Sequence, residues 1–224
     1  MTICFSLKKT QFITTASDVL ARNQTTKEIY THKKFYINLK RNIVILISGS
    51  FFHDEKTPEP RKVFIEQLDK KINKRDSMLS VSKKILSLIH TTYSQCPERI
   101  NLQFQVCGFD GNTPHTYIIF TKKSGIQEYT ANMTGTQRVV DYSKTNEGKR
   151  RMHALISLIP NVEIVAENVK RFISDVIAYE NDKAKENGED PQTGGGVNIV
   201  VVFPDRIMWV PPRIDSKDDP YKLS

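Results

Sequence analysis

Thr2-Ile3-Cys4-Phe5-Ser6-Leu7 stands directly behind Met1 and reads as a β-strand, since β-branched and aromatic residues fit a pleated, half-buried surface. Threonine is a small second residue, so removal of Met1 would leave a free α-amine and a hydroxyl on the same residue. A hydroxyl is a weak nucleophile at neutral pH unless a base takes its proton. An α-amine, with a reference pKa of about 7.7–8.0, can serve as that base with little tuning. Strand propensity alone accounts for a threonine at this position equally well, so the weight rests on residues further along the chain.

A second strand-like run, Gln11-Phe12-Ile13-Thr14-Thr15-Ala16-Ser17, ends at Asp18. After a polar loop, Tyr30-Thr31-His32-Lys33-Lys34-Phe35-Tyr36-Ile37-Asn38-Leu39 brings up two lysines. Asp18 lies 16 positions after Thr2, and Lys34 lies 32 after it. Downstream stand Thr134-Gly135-Thr136 and Asp190-Pro191-Gln192-Thr193-Gly194-Gly195-Gly196-Val197-Asn198-Ile199. These four segments, in this order, resemble the active-site set of proteasome β-type subunits and their bacterial proteasome-like relatives, within the N-terminal-nucleophile hydrolase superfamily. The third and fourth resemble the family's Ser-Gly-Ser and its aspartate, hydroxyl residue and paired glycines before a strand. The resemblance spans nearly the whole chain.

Composition sets the outer bounds. With 224 residues and 25.7 kDa, one domain over 1–224 with a sizeable core is expected, the tail at 211–224 being frayed. No 18-residue apolar run suggests a membrane helix, and the N-terminus lacks the plan of a signal peptide. Cys4, Cys96 and Cys107 are odd in number and lack metal-ligand spacing, which fits reduced thiols in a cytoplasmic protein. Cys4 shares a strand face with Thr2 and reads as a small packing residue beside it. The formal net charge is +8, with basic clusters such as Lys149-Arg150-Arg151 on expected helix faces or turns. No aromatic residues interleave with them, so no nucleic-acid partner is expected, nor a membrane. The five histidines show no metal spacing, and Gly194-Gly195-Gly196 precedes a strand rather than a helix, so neither a metal nor a phosphate-binding loop is expected.

Periodicity gives an α+β order. Strands are read at about 2–7, 11–17, 34–39 and 43–48, with 53–61 as a loop. Phe64, Leu68 and Ile72, then Val81, Ile85 and Ile89, mark two amphipathic helices. Strands resume near 101–109, 115–121 and 126–131, followed by helices near 147–158 and 162–180. In the last, Val165, Val169, Phe172 and Val176 form the inward stripe. Loop 181–193 leads to strands 197–203 and 207–210. The resemblance refines this to a four-layer αββα sandwich, the N-terminal-nucleophile hydrolase fold.

The resemblance also implies roles. Thr2 Oγ would attack a substrate carbonyl while its own amine shuttles the proton. Lys34 would stand beside it as a cation, favouring the neutral amine, and Asp18 would hold Lys34. Lys33 is the rival, but adjacent strand side chains face opposite ways and the gapless count favours Lys34. Gly49 would offer a backbone N–H to the oxyanion. Thr136 and Asp190 would orient the amine, while Leu46 and Ser48 would line the substrate side. The bulky Ser50-Phe51-Phe52-His53-Asp54 departs from the family's small residues there and points to an altered channel or subunit contact.

The function implied is a threonine-type endopeptidase without a cofactor, cutting peptides or unfolded proteins inside a self-compartmentalising homo-oligomeric ring. Any ATP-dependent unfoldase or activator would be a separate chain. Two alternatives stand beside it: a non-catalytic ring-forming or partner-binding subunit, and an N-terminal-nucleophile amidohydrolase acting on small amides.

Overall fold

Alternation along the first strand decides how the whole chain is layered, because successive side chains must serve opposite faces. A computed structural model of the chain describes residues 2–22, 29–31, 34–51, 60–93, 101–121, 125–190 and 193–210. In chain order the elements are β1 (Cys4–Lys8), β2 (Ile13–Asp18), β3 (Leu20–Arg22), β4 (Ile29–Thr31), β5 (Phe35–Asn38), β6 (Ile43–Ser50), α1 (Pro60–Lys71) and α2 (Met78–Thr92). They continue with β7 (Asn101–Asp110), β8 (Thr113–Phe120), β9 (Gly125–Glu128), β10 (Met133–Gly135), α3 (Gln137–Ser143), α4 (Asn146–Ser157), α5 (Val162–Glu186), β11 (Val197–Val202) and β12 (Ile207–Val210).

Two five-stranded sheets result, ordered β10-β1-β2-β11-β12 and β5-β6-β7-β8-β9, with antiparallel pairing between neighbours in both. In the first sheet Cys4 pairs with Ser17, and Ser17 with Asn198, so these three share a face. Ile3, Phe5, Leu7, Ala16, Ile199 and Val201 take the other face and pack with Val165, Val169, Phe172 and Val176 of α5. Phe5 meets Phe172 at 5.2 Å between ring centroids. In the second sheet Ile45, Ile47, Phe104 and Ile119 pack with Phe64 and Leu68 of α1 and Val81, Ile85 and Ile89 of α2. A third cluster joins the sheets: Cys4, Ile13, Val200 and Val202 from the first meet Phe35, Val44, Leu46, Cys107 and Phe109 from the second.

Helix boundaries follow local chemistry. Pro60 opens α1, where its missing N–H costs nothing. Ser77 caps α2 by accepting from the Ser80 N–H, and Asn161 caps α5 by accepting from Ile164.

The regular four-layer αββα sandwich implied by the resemblance is corrected here. The arrangement is α+β, with two antiparallel five-stranded sheets and five helices among the described residues, and a two-stranded ribbon, β3-β4, that belongs to neither sheet. Beside the first sheet the helices do not form a plain paired layer: α3 and α4 pack on each other and on α5. Other boundaries also move. Pro60 and Arg61 of the expected loop are helical, α5 runs on to Glu186, and β9 stops at Glu128. The short β3, β4, β10 and α3 carry too few periodic residues to announce themselves. Met1, Lys33, Cys96, Pro191, Gln192, the stretch 52–59 with Phe52, His53 and Asp54, and the tail 211–224 lie outside the described residues.

Candidate active site

Asp18 closes β2, and its backbone N–H reaches back to the Ile3 carbonyl at 3.3 Å. Its side chain repeats the link, with Oδ1 accepting the Ile3 N–H at 2.7 Å. The other oxygen, Oδ2, lies 2.7 Å from Lys34 Nζ, and both side chains are almost wholly buried. Lys34 sits just before β5, where its carbonyl accepts the Ile47 N–H at 2.7 Å. An ion pair between the two sheets is thereby anchored one residue from Thr2. Burial pushes the Asp18 carboxyl above its ordinary value, opposed by Lys34 and by the N–H groups of Ile3 and Gly194. Burial likewise pulls the Lys34 ammonium down, opposed by Asp18.

Thr2 is half-buried ahead of β1. It stands two residues before Cys4, whose side chain lies in the core between the sheets. Cys4 is itself sealed in that core, and burial drives its thiol far above the ordinary range, which makes it a packing residue and not a second nucleophile.

Thr136 grips the same strand from the other side. It is buried, its N–H donates to the Cys4 carbonyl at 2.9 Å, and its Oγ1 accepts the Cys4 N–H at 3.4 Å. The glycine before it has a steric reason: a Cβ on Gly135 would come within 2.6 Å of the Val139 side chain as α3 turns in. Gly49 lies exposed near the end of β6 with φ +98°, and a Cβ there would fall 1.9 Å from the Asn101 carbonyl oxygen. Both backbone and space therefore demand glycine.

Four other expected residues are placed differently from the core of this group. Asp190 is exposed on the segment after α5. Leu46 is fully buried in the inter-sheet core. Ser48 is nearly buried, its hydroxyl donating to the Gln103 carbonyl at 3.4 Å. Phe51, expected at a channel or subunit contact, packs inward on Phe64 at 5.4 Å.

Two further residues close on the same group, Gly194 from the glycine run and Gln105, which the sequence does not single out. The Gly194 carbonyl accepts the N–H groups of Val19 and Leu20, at 3.1 and 2.9 Å, fastening the glycine run over the end of β2. Gln105 directs Nε2 to the Cys4 carbonyl at 3.5 Å. Gln105 stands with Gln103 among the apolar residues of β7, and nothing local sets it apart from that neighbour.

Comparison with solved structures adds the fold. A mutant of Anbu (Gly-1) from Hyphomicrobium sp. strain MC1 superposes with a TM-score of 0.67 at 14% identity, over 99% of this chain and 90% of that one. Anbu (ancestral beta-subunit) from Yersinia bercovieri gives 0.65 at 12% identity, over 98% and 89%. The likeness shows the fold. No family model and no curated protein matches the chain. Membership of the proteasome β-type subunits or their bacterial peptidase relatives, expected from the four segments, is corrected accordingly: at 12–14% identity the comparisons carry a shared fold with Anbu and nothing beyond it.

Proposed function

We propose that this chain is a threonine-type endopeptidase, with Thr2 as nucleophile once Met1 is removed, acting on peptides or unfolded proteins within a homo-oligomeric ring. The observation that carries the reading is the buried Asp18–Lys34 pair, tied to Ile3 and so to the residue next to Thr2. Buried ion pairs seldom improve on apolar packing of the same volume, so stability gives little reason to keep one here. A fixed positive charge near a terminal amine lowers its pKa and supplies neutral base.

In this mechanism Thr2 Oγ bonds to the scissile carbonyl carbon as its proton passes to the Thr2 amine. The amine then hands that proton to the departing peptide amine, leaving an ester on Oγ. Water, deprotonated by the same amine, attacks the ester carbonyl; the acyl–Oγ bond breaks, the acid product leaves, and the amine returns the proton to Oγ. The Gly49 N–H serves the oxyanion, and Thr136 and Asp190 orient the amine. Kinship of fold with a protein described as a beta-subunit supports assembly. The buried, unpaired thiols of Cys4 and Cys107 support a reducing cytoplasmic setting. Any unfoldase is a separate chain.

Exposure of Asp190 and full burial of Leu46 favour one second reading, a non-catalytic subunit that keeps the fold. Intact mass and a fluorogenic peptide separate the two. The proposal expects loss of Met1, capping of Thr2 by a peptide epoxyketone, and no turnover by Thr2→Ala. Turnover by protein that fully retains Met1 would overturn it.

A further inference from the structure

Glu180 is a buried carboxylate on a helix whose inward stripe is otherwise apolar. It forms an ion pair with Arg138, in the first turn of α3. The cap residue of α3 is Thr136, which holds Cys4 through both its N–H and its hydroxyl. The next residue of α5, Asn181, points about 100° further round the helix. Its Oδ1 accepts the Thr193 hydroxyl at 3.2 Å, and Thr193 is almost fully buried. Gly194 follows directly, its carbonyl holding Val19 and Leu20 just beyond Asp18. The two links flank a small polar cavity of about 130 Å³, lined by both Glu180 and Thr193.

We propose that Glu180 and Asn181 are positioning residues that hold the two flanks of the Thr2 site in register from a single rigid helix. Glu180 fixes the flank that ends in Thr136. Asn181 fixes the glycine segment that holds the end of β2 and, through it, the Asp18–Lys34 pair. Their catalytic meaning rests on the reading of Thr2 as nucleophile, whereas the mechanical coupling does not. A helix cannot shift one of these contacts without shifting the other, so the hydroxyl of Thr136 and the carboxylate of Asp18 keep a fixed spacing about β1.

Amide hydrogen exchange on the full chain tests the coupling. In Glu180→Gln, exchange at Cys4 and Thr136 should quicken about tenfold, equivalent to about 1.4 kcal/mol, with Val19 and Leu20 little changed. Asn181→Ala should do the reverse. The charge-swapped double variant Arg138→Glu with Glu180→Arg should restore protection at Thr136. Each single variant should also lower kcat for a peptide substrate, per Thr2 titrated, while KM stays within about twofold. Uniform acceleration across all amides, or none at these four, would overturn the proposal. Should exchange respond as expected while the unaltered protein hydrolyses no peptide, the coupling stands and the peptidase reading falls.

Discussion

The carboxylate of Asp18 and the ammonium of Lys34 each lose hydration on burial, and each is shifted toward its neutral form for that reason. Their 2.7 Å contact and the Ile3 N–H offset part of that cost. Removing one partner strands the other in a dry site, which typically costs about 3–5 kcal/mol. Lys34→Met alone should therefore lower the urea midpoint sharply, and Asp18→Asn alone should do the same. The double variant should recover most of the loss, because Asn keeps an acceptor for Ile3 and no charge remains buried. All three should be inactive in peptide hydrolysis. A double variant as unstable as either single would mean the two groups are not energetically coupled. Gly49→Ala should also destabilise, by about 1–3 kcal/mol, since a left-handed backbone and the Asn101 carbonyl both resist a side chain.

Acid should act unevenly on the elements. Burial alone would raise Asp76, between α1 and α2, but the Asn73 N–H and Lys84 Nζ, at 2.7 and 2.6 Å, hold it below its ordinary 3.8. Asp69 on α1 is likewise held low, against burial, by Lys40, Tyr36 and Asn38. For a depressed carboxyl the unfolded chain takes up protons first, so its contribution is full above about pH 4 and vanishes as pH falls through the folded value. Amide exchange of α1 and α2 should therefore quicken below about pH 4 before that of α5. Simultaneous loosening of all three helices would contradict this. These helices were also the most legible parts of the sequence. Phe64, Leu68 and Val81, Ile85 recur at the period of one buried face, and that pattern survives in the packing. Spacing against a known set singles out Thr136 and Asp18, but their contacts were not legible, because nothing local marks a threonine or aspartate as reaching Cys4 or Ile3. What escaped was short or long-range. The ribbon β3-β4 has three residues a side, and α3 has seven. Glu180 lies on α5 where the inward stripe gives way to a charged run, so its burial depends on Arg138, far away in sequence.

At the scale of the whole molecule, the question is what drives copies together. The four apolar positions of the α5 stripe and the face of α2 are consumed internally, and Phe51 is spent on Phe64. Several basic residues are already paired, Lys84 with Asp76 and Arg151 with Glu147 and Asp175. The chain nonetheless carries a formal net charge of +8, so identical copies repel as they approach. Salt shortens the reach of that repulsion from about 30 Å at 0.01 M to about 8 Å at 0.15 M. Assembly into a ring should thus strengthen as salt rises to the physiological range, whereas contacts made by surface ion pairs would weaken. Sedimentation at micromolar protein, run across that salt range, should reveal a closed multiple of 25.7 kDa that gains population with salt and binds peptide epoxyketone at Thr2. An inert ring would instead favour the non-catalytic subunit. A monomer at every salt concentration that hydrolyses small amides would remove the ring from the proposal and leave the chemistry of Thr2 in place.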